Sequence, residues 1–224
     1  MTIELQKIRH RYVSKWALKD IHFSAKSGEC IALLGPNGCG KSTLLKIMAT
    51  LLSPSAGEGE ILGHNLQKGV GAIRKKMQWL GHELGLYKTL TAGENLKFAA
   101  NMRGEKISLH CMEEVLAQVG LAGLKDKPVG SFSTGMRKRL ALAKILSMPC
   151  ELILLDEPHT NLDRIGKILM NKLIAEWKRE GITVVLASHD HPEVLPLCDK
   201  ALVLNAGHLA WFGNVKEMPG EIVL

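Results

Sequence analysis

The sequence has no apolar stretch long enough to cross a membrane and contains few aromatic residues. Aromatic side chains make up 4% of the 224 residues. The main apolar runs, 152–155 and 182–187, are far shorter than the roughly 20 residues that a spanning helix needs. The first residues also lack the basic segment and the apolar segment of a secretory signal. These absences predict a protein that is neither exported nor embedded in a bilayer.

Cysteine is scarce and scattered along the chain. The five cysteines are odd in number and include no Cys-x-x-Cys pair. Because a disulfide framework and a zinc site both require paired or clustered cysteines, neither is indicated. The sequence also has no internal repeat and no low-complexity tract. With 46% apolar residues, these features predict a single globular domain over residues 1–224 in a reducing cytoplasm.

Negative charge is the minority charge in this chain. The 29 Lys and Arg residues exceed the 22 Asp and Glu residues, which gives a net charge of +7. The densest basic clusters, 74–76 and 137–139, lack the interleaved aromatic side chains that stack on nucleic-acid bases. We interpret both clusters as solvated surface, with attraction to an anionic membrane leaflet as the alternative. No nucleic-acid partner is expected.

One glycine-rich segment carries a complete phosphate-binding pattern. Residues 35–42 fit Gly-x-x-x-x-Gly-Lys-Ser, after an apolar run and before the helix-like stretch 43–52. Glycines allow the main-chain N–H groups to turn toward phosphate oxygens, and the helix N-terminus adds partial positive charge. Lys41 adds a full charge, which should also favour the thiolate of Cys39, and the hydroxyl of Ser42 suits Mg²⁺. The predicted nucleotide-binding residues of this loop are Gly35, Pro36, Asn37, Gly38, Cys39, Gly40, Lys41, Ser42 and Thr43.

Strand patterns of two kinds surround this loop. Alternating residues in the opening stretch and at 21–25 predict antiparallel strands, whereas continuous apolar runs separated by helical stretches predict a parallel sheet buried on both faces. Those runs are 152–155, 183–186 and 201–204. Residues of about 84–148 are mostly helical in pattern, with a capping box at Thr91, a short helix at 113–119 and a longer one at 135–146. The predicted fold is therefore α/β. It combines a P-loop NTPase core with a mainly parallel sheet, an N-terminal antiparallel β subdomain and an inserted helical subdomain at about 84–148.

Two acidic residues and a histidine follow predicted strands. Asp156 and Glu157 come directly after the run 152–155, and His189 follows the strand that ends at 187–188. The carboxyl ends of parallel strands meet at the edge where an open α/β sheet binds ligands. We expect Asp156 to reach Mg²⁺ through a water, and Glu157 to polarise the water that attacks a γ-phosphate. His189 is either a γ-phosphate contact or a structural residue at a strand end.

With these residues in place, the chain resembles the ATP-binding subunit of an ABC transporter over nearly its whole length. The segment 132–136, Phe-Ser-Thr-Gly-Met, stands where the family has the signature Leu-Ser-Gly-Gly-Gln, and it retains Ser133 and Gly135. The resemblance implies that these two residues bind the γ-phosphate of an ATP molecule held by a second copy. It therefore implies an ATPase with Glu157 and His189 as catalytic residues, acting as a head-to-tail homodimer with two ATP molecules sandwiched.

The resemblance assigns three further positions. Tyr12 stands where the family places an aromatic ring against adenine, with Trp16 as a rival and simple packing of Tyr12 as the alternative. The loop 160–163 corresponds to a segment that contacts the partner subunit, and Asp163 is also a candidate N-cap. His82 replaces a glutamine that ligates Mg²⁺ and contacts the membrane subunit. Because imidazole is a poorer Mg²⁺ ligand than an amide oxygen, we expect His82 to act through a water or a hydrogen bond.

Residues 81–98 narrow the resemblance within the family. They include Gly81-His82, Gly85-Leu86, Leu90-Thr91-Ala92 and Glu94-Asn95-Leu96-Lys97-Phe98, and they are most similar to the haem-exporter ATPase of cytochrome c biogenesis. This implies integral membrane permease subunits on a separate chain and a peripheral position on the cytoplasmic side of the inner membrane. The alternatives are an exporter of drugs, lipids or polysaccharide, and an ABC-type ATPase that acts on nucleic acid. The last usually carries a coiled-coil insertion or a second cassette, and a GTPase carries Asn-Lys-x-Asp; the sequence has none of these.

Overall fold

The structure, a computed structural model, describes residues 1–189 and 191–219. These residues form two compact units. The first unit contains Met1–Trp79, Cys150–Pro158 and the chain from Leu173 onward, and the second contains Leu80–Pro149 and His159–Lys172. The prediction of one domain with a helical insertion at about 84–148 stays a prediction.

Strands and helices alternate along the described chain. The strands are β1 (Ile3–Tyr12), β2 (Lys15–Ala25), β3 (Cys30–Leu34), β4 (Ala56–Ile61), β5 (His64–Asn65), β6 (Met77–Leu80), β7 (Leu152–Asp156), β8 (Thr183–Ala187), β9 (Lys200–Asn205) and β10 (His208–Asn214). The α-helices are α1 (Lys41–Met48), α2 (Val70–Lys76), α3 (Ala92–Met102), α4 (Leu109–Gln118), α5 (Thr134–Leu146), α6 (Arg164–Arg179) and α7 (His191–Val194). Across this described part, no helix combines the length and the apolar character needed to span a bilayer.

The strands form two sheets of different character. One sheet has the order β2-β1-β4-β5, and its strand pairs are antiparallel. The other has the order β10-β9-β3-β8-β7-β6, in which β3 pairs in parallel with β8 and β9, and β7 pairs in parallel with β8. The predicted fold class, with an N-terminal antiparallel layer and a mainly parallel sheet, is confirmed.

Burial explains why the strands could be recognised. Every residue of β3, β7 and β8 is buried, as expected for parallel strands that are covered on both faces. In β1 the buried side chains alternate from Ile3 to Leu5 and then skip to Ile8, because a bulge shifts the register at Lys7, whose φ is 51°. Side chains from both sheets and α1 form the core of the first unit.

The helix after the glycine-rich loop is shorter than predicted. It runs over α1, 41–48, rather than 43–52. Thr50 takes a left-handed φ of 57°, its N–H donates to the carbonyl of Ile47, and the N–H of Leu51 donates to the carbonyl of Lys46. This is the Schellman arrangement that closes a helix, with threonine where glycine is usual. At its other end the helix begins at Lys41, within the glycine-rich segment 35–42.

The described helices of the second unit begin at side-chain caps. The capping box at Thr91 is confirmed: its hydroxyl accepts from the N–H of Glu94, and the Glu94 carboxylate accepts from the N–H of Thr91. The helix α4 begins at Leu109, earlier than the predicted residue 113, because Ser108 caps it. Ser133 caps α5 in the same way by accepting from the N–H of Met136 at 3.2 Å.

Candidate functional site

The glycine-rich loop joins β3 to α1 in the first unit and uses its glycines for two different reasons. Gly35, Gly38 and Gly40 have φ of 134°, 78° and 116°, values that other residues rarely adopt. A Cβ atom at Gly35 would lie 2.1 Å from the carbonyl oxygen of Leu204, and one at Gly40 would lie 2.7 Å from that of Ala17. At Gly38 a Cβ atom would meet nothing within 4 Å. Gly35 and Gly40 thus let the loop pack against neighbouring strands, while Gly38 lies on its exposed rim.

Lys41, which is predicted to bind phosphate, packs against the main chain of the glycine-rich loop. Its Nζ donates to the carbonyls of Gly35 at 2.6 Å and Pro36 at 3.1 Å, and the side chain is buried. Pro36, Asn37 and Gly38 are exposed on the outer side of the loop. The ammonium group is therefore held at the loop, where phosphate oxygens can replace the two carbonyls as acceptors of its hydrogen bonds.

Ser42 and Asp156 meet, as a shared metal site requires. The hydroxyl of Ser42 donates to Oδ1 of Asp156 at 3.1 Å, and the carboxylate is buried at the end of β7. Mg²⁺ in nucleotide sites takes one or two protein oxygen ligands together with phosphate oxygens and waters. The donor set fits that chemistry. In the described residues no group of three or more His, Cys, Asp or Glu side chains is arranged to hold a metal.

Glu157 and His189, both predicted to be catalytic, are in direct contact. Nδ1 of His189 lies 2.8 Å from Oε2 of Glu157. The contact arises because β8 lies between β3 and β7 in the sheet, so the residues that follow β7 and β8 emerge side by side. Glu157 has a left-handed φ of 51°, a strained conformation for a residue with a side chain, and its N–H donates to the carbonyl of Ala187. Such strain is concentrated at functional sites.

The expectation for Cys39 was wrong. Only 3% of Cys39 is exposed, and this burial raises the pKa of its thiol above the ordinary value. The positive charge of Lys41 lowers that pKa, as the sequence suggested, but by less than burial raises it. The thiol form is therefore favoured at neutral pH, since a charged thiolate would lose its hydration inside the loop.

Tyr12 and Trp16 are both exposed, on either side of the turn that joins β1 to β2. The ring of Tyr12 is 47% exposed and packs edge-on against His10, with centroids 4.6 Å apart. The ring of Trp16 is 40% exposed, and the guanidinium of Arg11 lies 5.7 Å from its centroid. Both rings offer a surface for stacking, and the choice between them as the adenine contact stays open.

The remaining predicted site residues belong to the second unit. Ser133 and Gly135 lie at the N-terminus of α5, and Ser133 is exposed. The position that a Cβ atom of Gly135 would take is 3.7 Å from the carbonyl oxygen of Asn161, which places the signature segment against the loop 160–163. His82 is exposed in the segment between β6 and α3. Its proposed part in Mg²⁺ binding remains a prediction.

Three basic residues of α5 have structural roles that the sequence interpretation missed. Lys138 was assigned to a solvated cluster, but it is only 7% exposed and its Nζ donates to the carbonyl of Thr160 at 2.8 Å. Arg139 forms bonds of 2.9 and 3.1 Å with Asp163. The Nζ of Lys144 donates to the carbonyl of Leu84 at 2.9 Å, and burial lowers the pKa of Lys144. One sequence signal for Lys138 existed: it shares a helical stripe with Ala141, Leu142 and Ile145, all of which are buried.

Asp163 caps α6, as predicted. Its Oδ1 accepts from the N–H of Gly166 at 2.7 Å, and this bond, followed by that from Arg139, lowers the pKa of the Asp163 carboxyl. The other basic cluster, 74–76, lies on the surface of the first unit. There Arg74 bonds to Thr50, and Lys76 pairs with Glu151 at 3.0 Å. The solvated interpretation suits that cluster.

Comparison with known proteins agrees with this architecture. Residues 18–160 match the family model described as ABC transporter. The chain therefore belongs to the ABC transporter family and is an ATP-binding subunit of that family. Like the cassettes that it matches, it is an ATPase whose hydrolysis of ATP is coupled to transport.

Three relatives illustrate the similarity. The ABC transporter ATP-binding protein NatA of Bacillus subtilis is 32% identical over 90% of this chain and 83% of its own length. The spermidine/putrescine import ATP-binding protein PotA of Spiroplasma citri is 35% identical over 98% of this chain, which spans 63% of PotA. A solved dimeric structure of a bacterial ABC transporter cassette is 25% identical, with a TM-score of 0.87 over 96% of this chain and 100% of that one.

Proposed function

We propose that two copies of this chain associate head to tail, bind two ATP molecules between them and power separate membrane-embedded subunits. The observation that carries the proposal is the arrangement in the first unit. There Ser42 lies 3.1 Å from Asp156, and Glu157 lies 2.8 Å from His189, at the ends of neighbouring strands. This arrangement brings together two oxygen ligands for a metal ion and a carboxylate–imidazole pair for an attacking water.

The residues of the first unit have separate parts in the proposed reaction. The loop amides and Lys41 bind the phosphates. Glu157 accepts a proton from water as the water oxygen bonds to the γ-phosphorus, while the bond from that phosphorus to the bridging oxygen breaks and ADP leaves. His189 orients the Glu157 carboxylate. Mg²⁺ held by Ser42 and Asp156 would neutralise charge on the phosphate oxygens.

The second copy is proposed to complete each ATP site. The exposed hydroxyl of Ser133 and the N-terminus of the 13-residue helix α5 offer donors and partial positive charge to a γ-phosphate. Gly135 leaves room for that approach because it carries no side chain. The dimeric state of the related bacterial cassette supports this arrangement.

The replacement of Glu157 by Gln tests the catalytic assignment. Because a positioned base typically contributes 10²- to 10⁴-fold, we expect Glu157→Gln to lower ATP turnover by roughly that factor. ATP binding should persist, and dimers should accumulate in gel filtration with ATP. Glu151→Gln is the matched control, since Glu151 stands just before the same strand and pairs with Lys76. Near-normal turnover in Glu157→Gln would remove Glu157 from this role.

The second unit offers a surface for the proposed membrane partner. A depression of about 340 Å³ is lined by Glu83, Leu84, Gly85, Leu86, Lys88 and Arg137. Tyr87 lies between Leu86 and Lys88 in the chain, is half exposed, and packs edge-on against the exposed Phe98 at 4.8 Å between centroids. Exposed apolar side chains in and beside a depression that also carries charged residues are typical of protein interaction sites. The peripheral position on the cytoplasmic side of the inner membrane follows from this proposal.

Haem export for cytochrome c maturation is the transport that we propose, on the strength of the resemblance in residues 81–98. The similarity to PotA over 98% of this chain favours a second candidate, import of a small cation such as a polyamine. The chain can be purified from membranes together with its permease and reconstituted in vesicles. The ATP turnover of this complex, measured with each candidate substrate, distinguishes the two proposals. Haem should stimulate ATP turnover under the first proposal. Stimulation by spermidine, with no response to haem, would replace the first proposal by the second.

A further inference from the structure

Two consecutive residues of α5 bind the two ends of one loop. The loop 160–163 comes after β7 in the chain and lies, together with α5, in the second unit. Lys138 donates to the carbonyl of Thr160 at its start, and Arg139 bonds to the carboxylate of Asp163 at its end. The same helix is capped by Ser133, five residues before Lys138.

The bond from Lys138 is the more buried of the two. Lys138 is 7% exposed, whereas the Asp163 side chain that faces Arg139 is 62% exposed. Burial of an ammonium group is costly unless it is hydrogen-bonded, and exposed ion pairs contribute little. The position of Lys138 on the buried stripe of α5 could readily hold an apolar residue. The bond to the carbonyl of Thr160 is a contact that a lysine makes at this position and an apolar residue could not.

The loop itself needs to be held in place. Asn161 has a left-handed φ of 63°, a conformation that asparagine adopts more readily than most residues with a side chain. Its carbonyl oxygen lies close to Gly135 of the signature segment, so a shift of the loop would disturb that segment directly. The loop and the signature segment consequently form one packed block within the second unit.

We propose that Lys138 is a positioning residue that sets the signature segment and the loop 160–163 in one fixed geometry toward the opposite subunit. The inference rests on the proposed dimer with ATP at its interface. Lys138 touches no reacting atom. Lys138 affects the ATP bound by the other copy, because Ser133 and Gly135 of its own chain are proposed to bind the γ-phosphate of that ATP.

The substitution Lys138→Met removes the bond to Thr160 while keeping the length and apolar part of the side chain. Replacement of a buried charge by an apolar side chain is often neutral for stability, so we expect the variant to fold, with a melting temperature near that of the wild type. ATP affinity at low protein concentration should be unchanged, and kcat should fall roughly 10- to 100-fold through misplacement of the opposing donors. Lys138→Arg should restore much of the loss. Lys97→Met, at an exposed position of α3, is the control and should behave as wild type.

Mixed dimers distinguish positioning from a general structural effect. In one dimer Lys41→Met and Lys138→Met are on different chains, so one of the two ATP sites keeps an intact Lys41 and an intact opposing Lys138. In the other dimer both substitutions are on the same chain, and no site is intact. We expect the first dimer to hydrolyse ATP roughly 10-fold faster than the second. Equal rates would overturn the role of Lys138 across the interface.

The proposed dimer has its own readout in the same experiment. The inference about Lys138 fails if Lys138→Met hydrolyses ATP at the normal rate and Glu157→Gln/Lys138→Met forms dimers with ATP as well as Glu157→Gln does. The proposed dimer is retained in that case. If Glu157→Gln remains monomeric with ATP, also when the permease subunits are supplied, the proposed function fails first.

Discussion

Two glycines of the phosphate loop differ in what surrounds them, and this difference predicts a large gap in stability between two alanine variants. Gly35 and Gly38 both have positive φ. An added Cβ atom at Gly35 would lie 2.1 Å from the carbonyl oxygen of Leu204, near the C-terminal end of the neighbouring strand β9. An added Cβ atom at Gly38 would meet nothing within 4 Å. Both substitutions therefore carry a conformational cost, and only Gly35→Ala adds a collision with the backbone.

The size of the gap follows from these terms. A left-handed conformation costs an alanine about 1–2 kcal/mol, which is the whole expected effect of Gly38→Ala. Overpacking adds about 1–3 kcal/mol at Gly35, because the atom in contact belongs to the backbone of a central strand and cannot rotate away. For a chain of this size 1 kcal/mol corresponds to a shift of about 2–4 °C in melting temperature. Gly35→Ala should therefore melt roughly 2–12 °C below Gly38→Ala.

Thermal unfolding followed by circular dichroism, with nucleotide absent, measures this difference. Nucleotide must be left out because a ligand that binds the folded state raises the melting temperature by itself. Wild-type protein and Gly38→Ala provide the two references. Equal melting temperatures for the two variants would show that the strand β9 yields to the new atom, and the packing role assigned to Gly35 would then be wrong.

Two further predictions concern the chemistry of the site. Because burial raises the pKa of Cys39, alkylation at pH 7 should be slower for Cys39 than for the partly exposed Cys111. The alkylation of Cys39 should accelerate as the pH rises and should become slower when ATP is bound. Equal rates for the two cysteines at pH 7 would contradict the assignment. Because an amide oxygen is a better Mg²⁺ ligand than imidazole, His82→Gln should raise the Mg²⁺ affinity of the ATP-bound protein, measured by titration calorimetry, and an unchanged affinity would reject the role of His82.

Elements with a continuous or an alternating apolar pattern were predictable from the sequence, whereas β4, which has neither, was not. β3, β7 and β8 are buried throughout, so their composition alone identifies them. By contrast, β4 has the sequence Ala-Gly-Glu-Gly-Glu-Ile and most of its residues are exposed. It is a strand because its main chain pairs with β1 over residues 56–61. Such pairing depends on a distant partner and leaves no mark in the local pattern.

The residues proposed for the candidate site were named from the sequence, but the contacts among them could not be predicted. The positions of Asp156, Glu157 and His189 after apolar runs located all three at one edge of the sheet. Their pairing depends on the strand order, in which β8 lies between β3 and β7 although it comes last of the three in the chain. With another order His189 would follow a strand far from Glu157, and the 2.8 Å contact could not form.

The supporting residues were missed for a more general reason. Lys138 and Lys144 donate to the main-chain carbonyls of Thr160 and Leu84. A carbonyl is present at every position, so its use as an acceptor selects no residue type, and a sequence pattern can record only one side of the bond. Phosphate and metal chemistry, in contrast, demands particular side chains at fixed spacing. The sequence of such a chain therefore indicates which ligand it binds. The side chains that hold its loops in position are recognised instead by their burial, as with the lysine at position 138 within an apolar stripe.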